Sequence, residues 1–215
     1  KIIAGAGYTG YLIGVRTTTD QFDAAWSVIE GGVLDGNGRA ANGIFIQNVL
    51  GVTVRNVLLA QPGVGIQLLN TNGLWTEGSR LEHIYIENPN TGIEGRNNGG
   101  TTSLGNASWN DIEIFLAQPN ATAIAFVNQL GGMPHPYSST IKGVTVWAHS
   151  TATTSIGIDQ PDHSGSGSLW EKVYFEVTGA PGFTGWNVAA GKQYPWILGT
   201  TLSGAGTLFA NDAGT

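Results

Sequence analysis

Fifteen acidic side chains stand among the 215 residues of this chain, and four of them fall at related places in its pattern: Glu82, Glu87, Asp111 and Glu113. Two carboxyl groups roughly 5 to 9.5 Å apart are what a glycosidase needs. One protonates the leaving oxygen, and the other attacks the sugar carbon or activates a water. Glu113, close to both Glu87 and Asp111, makes its best-placed combination with Glu87, and Glu82 and Asp111 lie one repeat apart at neighbouring positions. Aromatic residues accompany them at matching positions: Tyr85, Phe115, Trp147 and Tyr174, with Glu176 beside the last. Aromatic faces stack on the C–H surfaces of sugars, and carboxylates accept hydrogen bonds from hydroxyls. The plainer role for the same rings is packing under loops or against another subunit. A chain with this many acids presents some carboxylate pairs whatever it does, so proximity alone does not make a pair catalytic.

These residues fall in register because the chain repeats. Leu81-Glu82-His83-Ile84-Tyr85-Ile86, Trp109-Asn110-Asp111-Ile112-Glu113-Ile114, Ile141-Lys142-Gly143-Val144-Thr145-Val146 and Trp170-Glu171-Lys172-Val173-Tyr174-Phe175 begin 28, 32 and 29 residues apart. Each is apolar at its first, fourth and sixth positions. An earlier copy is read from Val49 through Val54, 32 residues before Leu81. A second pattern, Gly-apolar-polar-apolar, runs between the copies: Gly43-Ile44-Phe45-Ile46, Gly65-Ile66-Gln67-Leu68, Gly92-Ile93-Glu94, Ala123-Ile124-Ala125-Phe126, Gly157-Ile158-Asp159 and Gly185-Trp186-Asn187-Val188.

Each repeat thus carries at least two short strands, polar turns and no helical period. Such a unit buries its apolar face only by stacking on its neighbours. The expectation is an all-β, right-handed parallel β-helix of about seven coils of ~30 residues, a rod of roughly 35 Å with ~4.8 Å between coils. Stacking then sets Tyr85, Glu113, Thr145 and Tyr174 in one outward column and Glu87, Phe115, Trp147 and Glu176 in another.

Composition agrees with a turn-rich solenoid. Thirty-three residues are Gly, about twice ordinary usage, while charged residues make up only 11%. Apolar content of 41% argues against disorder. Nine Lys and Arg, unclustered in a chain of net charge −6, argue against nucleic-acid binding. No apolar run is long enough to span a membrane as a helix. Without cysteine, disulfides and thiolate metal sites are excluded. Asp159, Asp162 and His163 share a loop and read as solvated loop residues, so no metal or other cofactor is expected. His83, His135 and His149 have no nucleophile context and read as surface histidines.

Turns are marked by Asp35-Gly36-Asn37-Gly38, residues 88–91, 95–102, 131–137 and 159–167. The last three fall just after the Gly-Ile strand, on one face of the rod. Residues 20–28 have room for one helical turn, and 192–215 read as a final partial coil. One β-helical domain over residues 1–215 is expected. Little at either end caps the open strand edges, so a piece of a longer chain, or cover from neighbouring subunits, is expected.

The stretch Ile29-Glu30-Gly31-Gly32-Val33-Leu34-Asp35-Gly36-Asn37-Gly38, then Gly43–Ile46 and Val52-Thr53-Val54-Arg55-Asn56-Val57, resembles the pectate-lyase-like superfamily of β-helices, which includes pectin lyases, polygalacturonases and bacteriophage tailspikes. The resemblance spans nearly the whole chain. Small coils and Asn-rich loops look most like a tailspike or tail-fibre domain. The resemblance implies a homotrimer on a virion tail or otherwise outside a cell, binding cell-surface polysaccharide and in some members cleaving it. The polygalacturonase motifs Asn-Thr-Asp, Asp-Asp, Gly-His-Gly and Arg-Ile-Lys are all absent. Arg55, Arg80 and Arg96 lack the acidic Ca²⁺ cluster of pectate lyases. Adhesion, depolymerisation and a structural spacer remain as alternatives.

Overall fold

A computed structural model describes residues 1–98, 104–128, 138–160, 167–188 and 196–210. The strands β1 (Ile2–Ile3) and β2 (Tyr11–Arg16) open the chain, and β3 (Val28–Glu30), β4 (Val33–Asp35) and β5 (Asn42–Gln47) make the next coil. Then come β6 (Thr53–Ala60), β7 (Val64–Thr71), β8 (Arg80–Glu87), β9 (Thr91–Asn98), β10 (Ser108–Leu116), β11 (Thr122–Asn128), β12 (Thr140–Ala148), β13 (Ile156–Gln160), β14 (Leu169–Val177) and β15 (Thr184–Val188). The chain closes with β16 (Trp196–Leu198), β17 (Thr201–Gly204) and β18 (Thr207–Ala210). Among the described residues there is no helix, and residues 21–26 form turns.

Every pairing is parallel. Strands β1, β4, β6, β8, β10, β12, β14 and β16 follow one another in the first sheet, with β3 on β6 and β17 on β14. The second sheet runs β2, β5, β7, β9, β11, β13, β15, β18. The chain alternates between the two sheets, so this is a parallel β-solenoid of about six full turns, with shorter coils at the ends.

The register matches the sequence repeat from β8 onward: Leu81 pairs with Trp109, Trp109 with Ile141, and Ile141 with Trp170. The earliest copy is displaced. Val54, not Val49, pairs with Leu81, followed by Val57 with Ile84 and Leu59 with Ile86. Both frames satisfy the first-fourth-sixth apolar rule, because Val49, Val52 and Val54 are buried as fully as Val57 and Leu59. Residues 49 and 52 belong to the corner that feeds β6. The expected turn over 95–102 is also shorter than its composition suggests. Gly95–Asn98 belong to β9, where Arg96 pairs with Glu94 and Asn97 points into a buried polar row.

The first-fourth-sixth pattern has a backbone cause. A straight strand alternates sides, but here the third residue of each copy takes positive φ: Asn56 (57°), His83 (52°), Asp111 (54°), Gly143 (66°) and Lys172 (58°). One left-handed residue per coil bends each strand of the first sheet and places two successive residues outside before the next turns in.

Apolar positions of both sheets meet in one continuous core. In the early coils it is aliphatic, with Ile44, Ile66, Leu81 and Ile93 fully buried. Later it becomes an aromatic stack. Ring centroids of Trp109 and Phe126 lie 6.3 Å apart, Phe126 and Trp170 6.4 Å, Trp170 and Trp186 5.0 Å, and Trp186 and Phe209 6.3 Å. Buried polar side chains pair along the coils. Asn48 Nδ2 donates to Thr17 O (3.1 Å) and Thr71 Oγ1 (2.8 Å), while its Oδ1 accepts from Thr71 N (2.7 Å). Exposed large apolar residues gather at the ends: Ile2, Ile3, Phe22, Trp26 and Val28 at one, Trp196 and Leu198 at the other.

The glycine of the second repeat marks the closest approach between coils. A Cβ on Gly43, Gly65 or Gly92 would lie 2.4, 2.4 and 2.5 Å from the carbonyl oxygen of the next coil, and close to Leu59, Ile86 or Ile114 of the opposite sheet. Ala123 occupies the same column, so one methyl is absorbed at that rung. Gly92→Val is expected to lower stability by ~1–3 kcal/mol, as overpacking of a filled core does. Urea denaturation followed by circular dichroism measures it; an unchanged midpoint would refute the close-packing account.

Candidate functional site

The two proposed columns lie on the outer face of the first sheet. Glu113 pairs with Tyr85 on one side and Thr145 on the other, and Thr145 pairs with Tyr174. Phe115 pairs with Glu87 and Trp147, and Trp147 with Glu176. Leu58 and Ala60 continue the two rows onto β6, and Thr201 and Ser203 onto β17. Tyr85 and Trp147 are 37% and 36% exposed, while Phe115, Tyr174 and Glu176 are half-buried. Phe115 leans on His149, with ring centroids 6.4 Å apart.

The carboxylates divide between two settings. Glu87 and Glu113 sit on adjacent parallel strands two positions apart, ~8 Å apart at the backbone from ~4.8 Å between strands and ~3.3 Å of rise per residue. Both bear on the Tyr85 hydroxyl. Its pKa is raised, first by partial burial and then by the negative charges of Glu87 and Glu113. Asp111 lies elsewhere, on the bend. It faces His83 Nε2 at 3.4 Å, accepts from Asn110 Nδ2 at 3.0 Å, and covers Gly143, where a Cβ would come within 2.8 Å of its Oδ1. Glu82 stands one position before the bend, opposite Asn110 and Arg55. Glu82 and Asp111 thus occupy neighbouring columns at the corner, and Glu87 and Glu113 occupy the flat part of the face.

Beside the first sheet, Ser138, Ser139, Thr140, Gly167, Ser168, Leu169 and Trp196 line a concavity of about 310 Å³. Asp162, His163 and His135 lie outside the described residues, as do residues 99–103, 129–137 and 161–166 of the expected loop face. Asp159 accepts a hydrogen bond from Asn187 Nδ2 at 2.6 Å. Among the described residues, no three His, Asp or Glu side chains converge as metal ligands.

The second sheet holds a polar network that the residue-by-residue reading missed. Tyr11 stacks on Phe45, with ring centroids 4.8 Å apart and planes 25° from parallel. Its hydroxyl donates to Gln67 Oε1 at 2.9 Å, and Gln67 Nε2 donates to Glu94 Oε1. Glu94 is 7% exposed and takes both arms of Arg96, Nε at 3.0 Å and Nη2 at 3.1 Å. A carboxylate this buried is retained only when paired and hydrogen-bonded, and the fork of Arg96 supplies both. Tyr8, Tyr11, Gly14, Arg16 and Phe45 enclose a concavity of about 530 Å³ beside this network. The signal was present in the Gly-apolar-polar-apolar repeat. Its polar position is Phe45, Gln67, Glu94, Ala125, Asp159 and Asn187 in successive coils, one outward column.

No family model matches this chain, and neither a curated protein nor a solved structure matches it.

The Tyr11 hydroxyl is pushed up to about 12, mainly by burial and next by the charge of Glu94, against the opposing pull of Arg96. Its proton is therefore held more tightly in the folded chain than in the unfolded one. The stabilisation is complete below pH ~10 and disappears as pH rises through ~12. A spectroscopic titration of phenolate is expected to show one tyrosine ionising near pH 12, and Tyr11→Phe to remove that step and flatten the fall of stability between pH 10 and 12. An unchanged alkaline profile in Tyr11→Phe would contradict the network.

Proposed function

We propose that this solenoid is a polysaccharide-recognising module of the tailspike or tail-fibre kind, and that its aromatic and carboxylate columns contact sugar rings. One observation carries the reading: the ladder register aligns Tyr85, Glu113, Thr145 and Tyr174 beside Glu87, Phe115, Trp147 and Glu176 on an open face, with Tyr85 and Trp147 accessible. An array of rings, hydroxyls and acceptors on a stiff sheet suits an extended neutral or weakly charged glycan. The chain's low charge fits recognition by stacking and hydrogen bonds rather than by a strong field. The superfamily resemblance supports the same reading and extends it to a homotrimer displayed on a virion tail or otherwise outside a cell.

A second reading, a depolymerase, draws on Glu87 and Glu113. The register sets them on adjacent strands two positions apart, with the Tyr85 hydroxyl near both, and this supports a pair that would act on one bound sugar. In that reading one would protonate the glycosidic oxygen, and the other would attack the anomeric carbon or activate a water. A spacer role remains for a chain that binds no glycan.

Glycan-array binding and titration calorimetry test the first reading. Trp147→Ala and Tyr85→Ala are each expected to weaken binding by ~10-fold or more, since stacked aromatic anchors carry much of such interfaces. Both side chains are exposed enough for the fold to survive, which a thermal melt verifies. Retained binding in both variants would remove this surface from consideration. For the second reading, a reducing-end assay on capsule and lipopolysaccharide preparations is expected to show product that Glu113→Gln abolishes; no product across the panel ends the enzymatic reading and leaves the adhesin.

A further inference from the structure

The concavity on the second sheet combines features that the first sheet's columns lack. Tyr8, Tyr11 and Phe45 bring three rings together, and Arg16 brings a guanidinium. The rings are fixed in place. Tyr11 stacks on Phe45 and is tied through its hydroxyl to Gln67. Tyr8 donates to the Tyr11 carbonyl at 2.6 Å and folds over Gly10, where a Cβ would lie 2.6 Å from the Tyr8 hydroxyl. Gly14 pairs with Phe45 across the ladder and contributes no side chain; a Cβ there would meet nothing within 4 Å. The space in front of it is open.

Arg16 lies two residues further along the same strand face, exposed to solvent. Arg55 is held by Glu30 at 2.8 Å and Arg96 by Glu94 at 3.0 Å. Arg16 has no side-chain hydrogen bond or ion pair with any described residue. An unengaged guanidinium beside an ordered aromatic floor is a recognition pair. The planar fork accepts a carboxylate through two N–H donors, and the rings accept the apolar face of a pyranose.

We propose that this concavity binds a sugar residue carrying a carboxylate, with its ring on Tyr11 and Phe45 and its acid group on Arg16. The sugar class rests on the polysaccharide reading above, but the site stands apart from it, on the other sheet. A neutral sugar would leave Arg16 unused. The rest of the chain is acidic, so the anion finds its one favourable partner in this concavity at this guanidinium.

The test uses calorimetry on the whole chain with three probes, trisaccharides of galacturonic, glucuronic and sialic acid, each beside its carboxyl-reduced counterpart. At least one acidic probe is expected to bind ~10-fold or more tightly than its reduced form, about 1.4 kcal/mol. That difference should shrink with added salt. Arg16→Ala is expected to abolish the preference. Gly14→Val is expected to block binding by filling open space at a backbone position without positive φ, with an unchanged melting curve. Equal affinity for acidic and reduced probes, or full binding by Gly14→Val, overturns the proposal. Glycan binding that depends on Trp147 but not on Gly14 or Arg16 overturns it while the wider polysaccharide reading stands. Acid-probe binding lost in Gly14→Val and Arg16→Ala, yet unchanged in Trp147→Ala and Tyr85→Ala, supports this site and sinks the first-sheet columns.

Discussion

The same residue of each coil must hydrogen-bond to its counterpart in the next, at the fixed spacing of a β ladder. This single requirement links positions ~30 residues apart and makes them share a chemical fate. A column that faces inward must be apolar or mutually satisfied in every coil. The column where the second sheet crosses nearest the first must stay small in every coil, and it is Gly, Gly, Gly, Ala, Gly and Gly from residue 43 to residue 185. A column that faces outward is free of both demands. Whatever chemistry the chain performs is therefore concentrated in those outward rows.

Much of this was legible in the sequence for the same reason. From Leu81 onward, the ladder pairs residues that the apolar repeat alone had aligned, since each copy repeats one burial pattern. The alignment failed where hydrophobicity ceased to discriminate. Val49, Val52 and Val54 mimic Val54, Val57 and Leu59 in spacing and in burial, and Gly51 even carries positive φ (70°) at the third position of the false frame. The strand at Gly95–Asn98 was hidden because its side chains are polar on both sides: Arg96 outward against Glu94, Asn97 inward in the buried row. Composition reads polarity as turn; only tertiary partners show that this polarity is satisfied. The rings and carboxylates of the first sheet could be assigned to columns in advance. The Tyr11–Gln67–Glu94–Arg96 network was legible only in part: Gln67 and Glu94 pair along the polar column of the second repeat, but Tyr11 pairs with Asn42 outside that column and Arg96 stands two residues beyond Glu94.

The bend in each strand of the first sheet separates structural acids from available ones. Asp111 and Glu82 cluster at the bend, where His83, Asn110 and Gly143 shape the surroundings. Asn and Asp accept left-handed backbone more readily than most residues, which gives Asn56 and Asp111 a conformational reason for their positions. Glu87 and Glu113 have no such reason. They stand on extended backbone beyond the bend, Glu113 beside the exposed ring of Tyr85 and Glu87 beside the half-buried ring of Phe115, with their carboxylates near a tyrosine hydroxyl. Where fold accounts for Asp111 and not for Glu87 and Glu113, the unexplained pair is the better candidate for ligand contact.

An open β face has a further consequence for how a polymer would be held. Neither described concavity is lined by any of the four first-sheet carboxylates. With no enclosing wall among the described residues, each ring–sugar contact there would remain partly hydrated and individually weak, and affinity would have to come from many contacts along a stiff array. The solenoid is suited to that task because its backbone is locked coil to coil and little ordering accompanies binding. The concavity at Tyr8, Tyr11, Arg16 and Phe45 would work by the opposite logic: one partly enclosed position, with stacked rings and a directional cation. A chain that pairs a long array with one such anchor gains register as well as affinity, since the anchor selects which residue of the polymer sits where, while the array multiplies the hold.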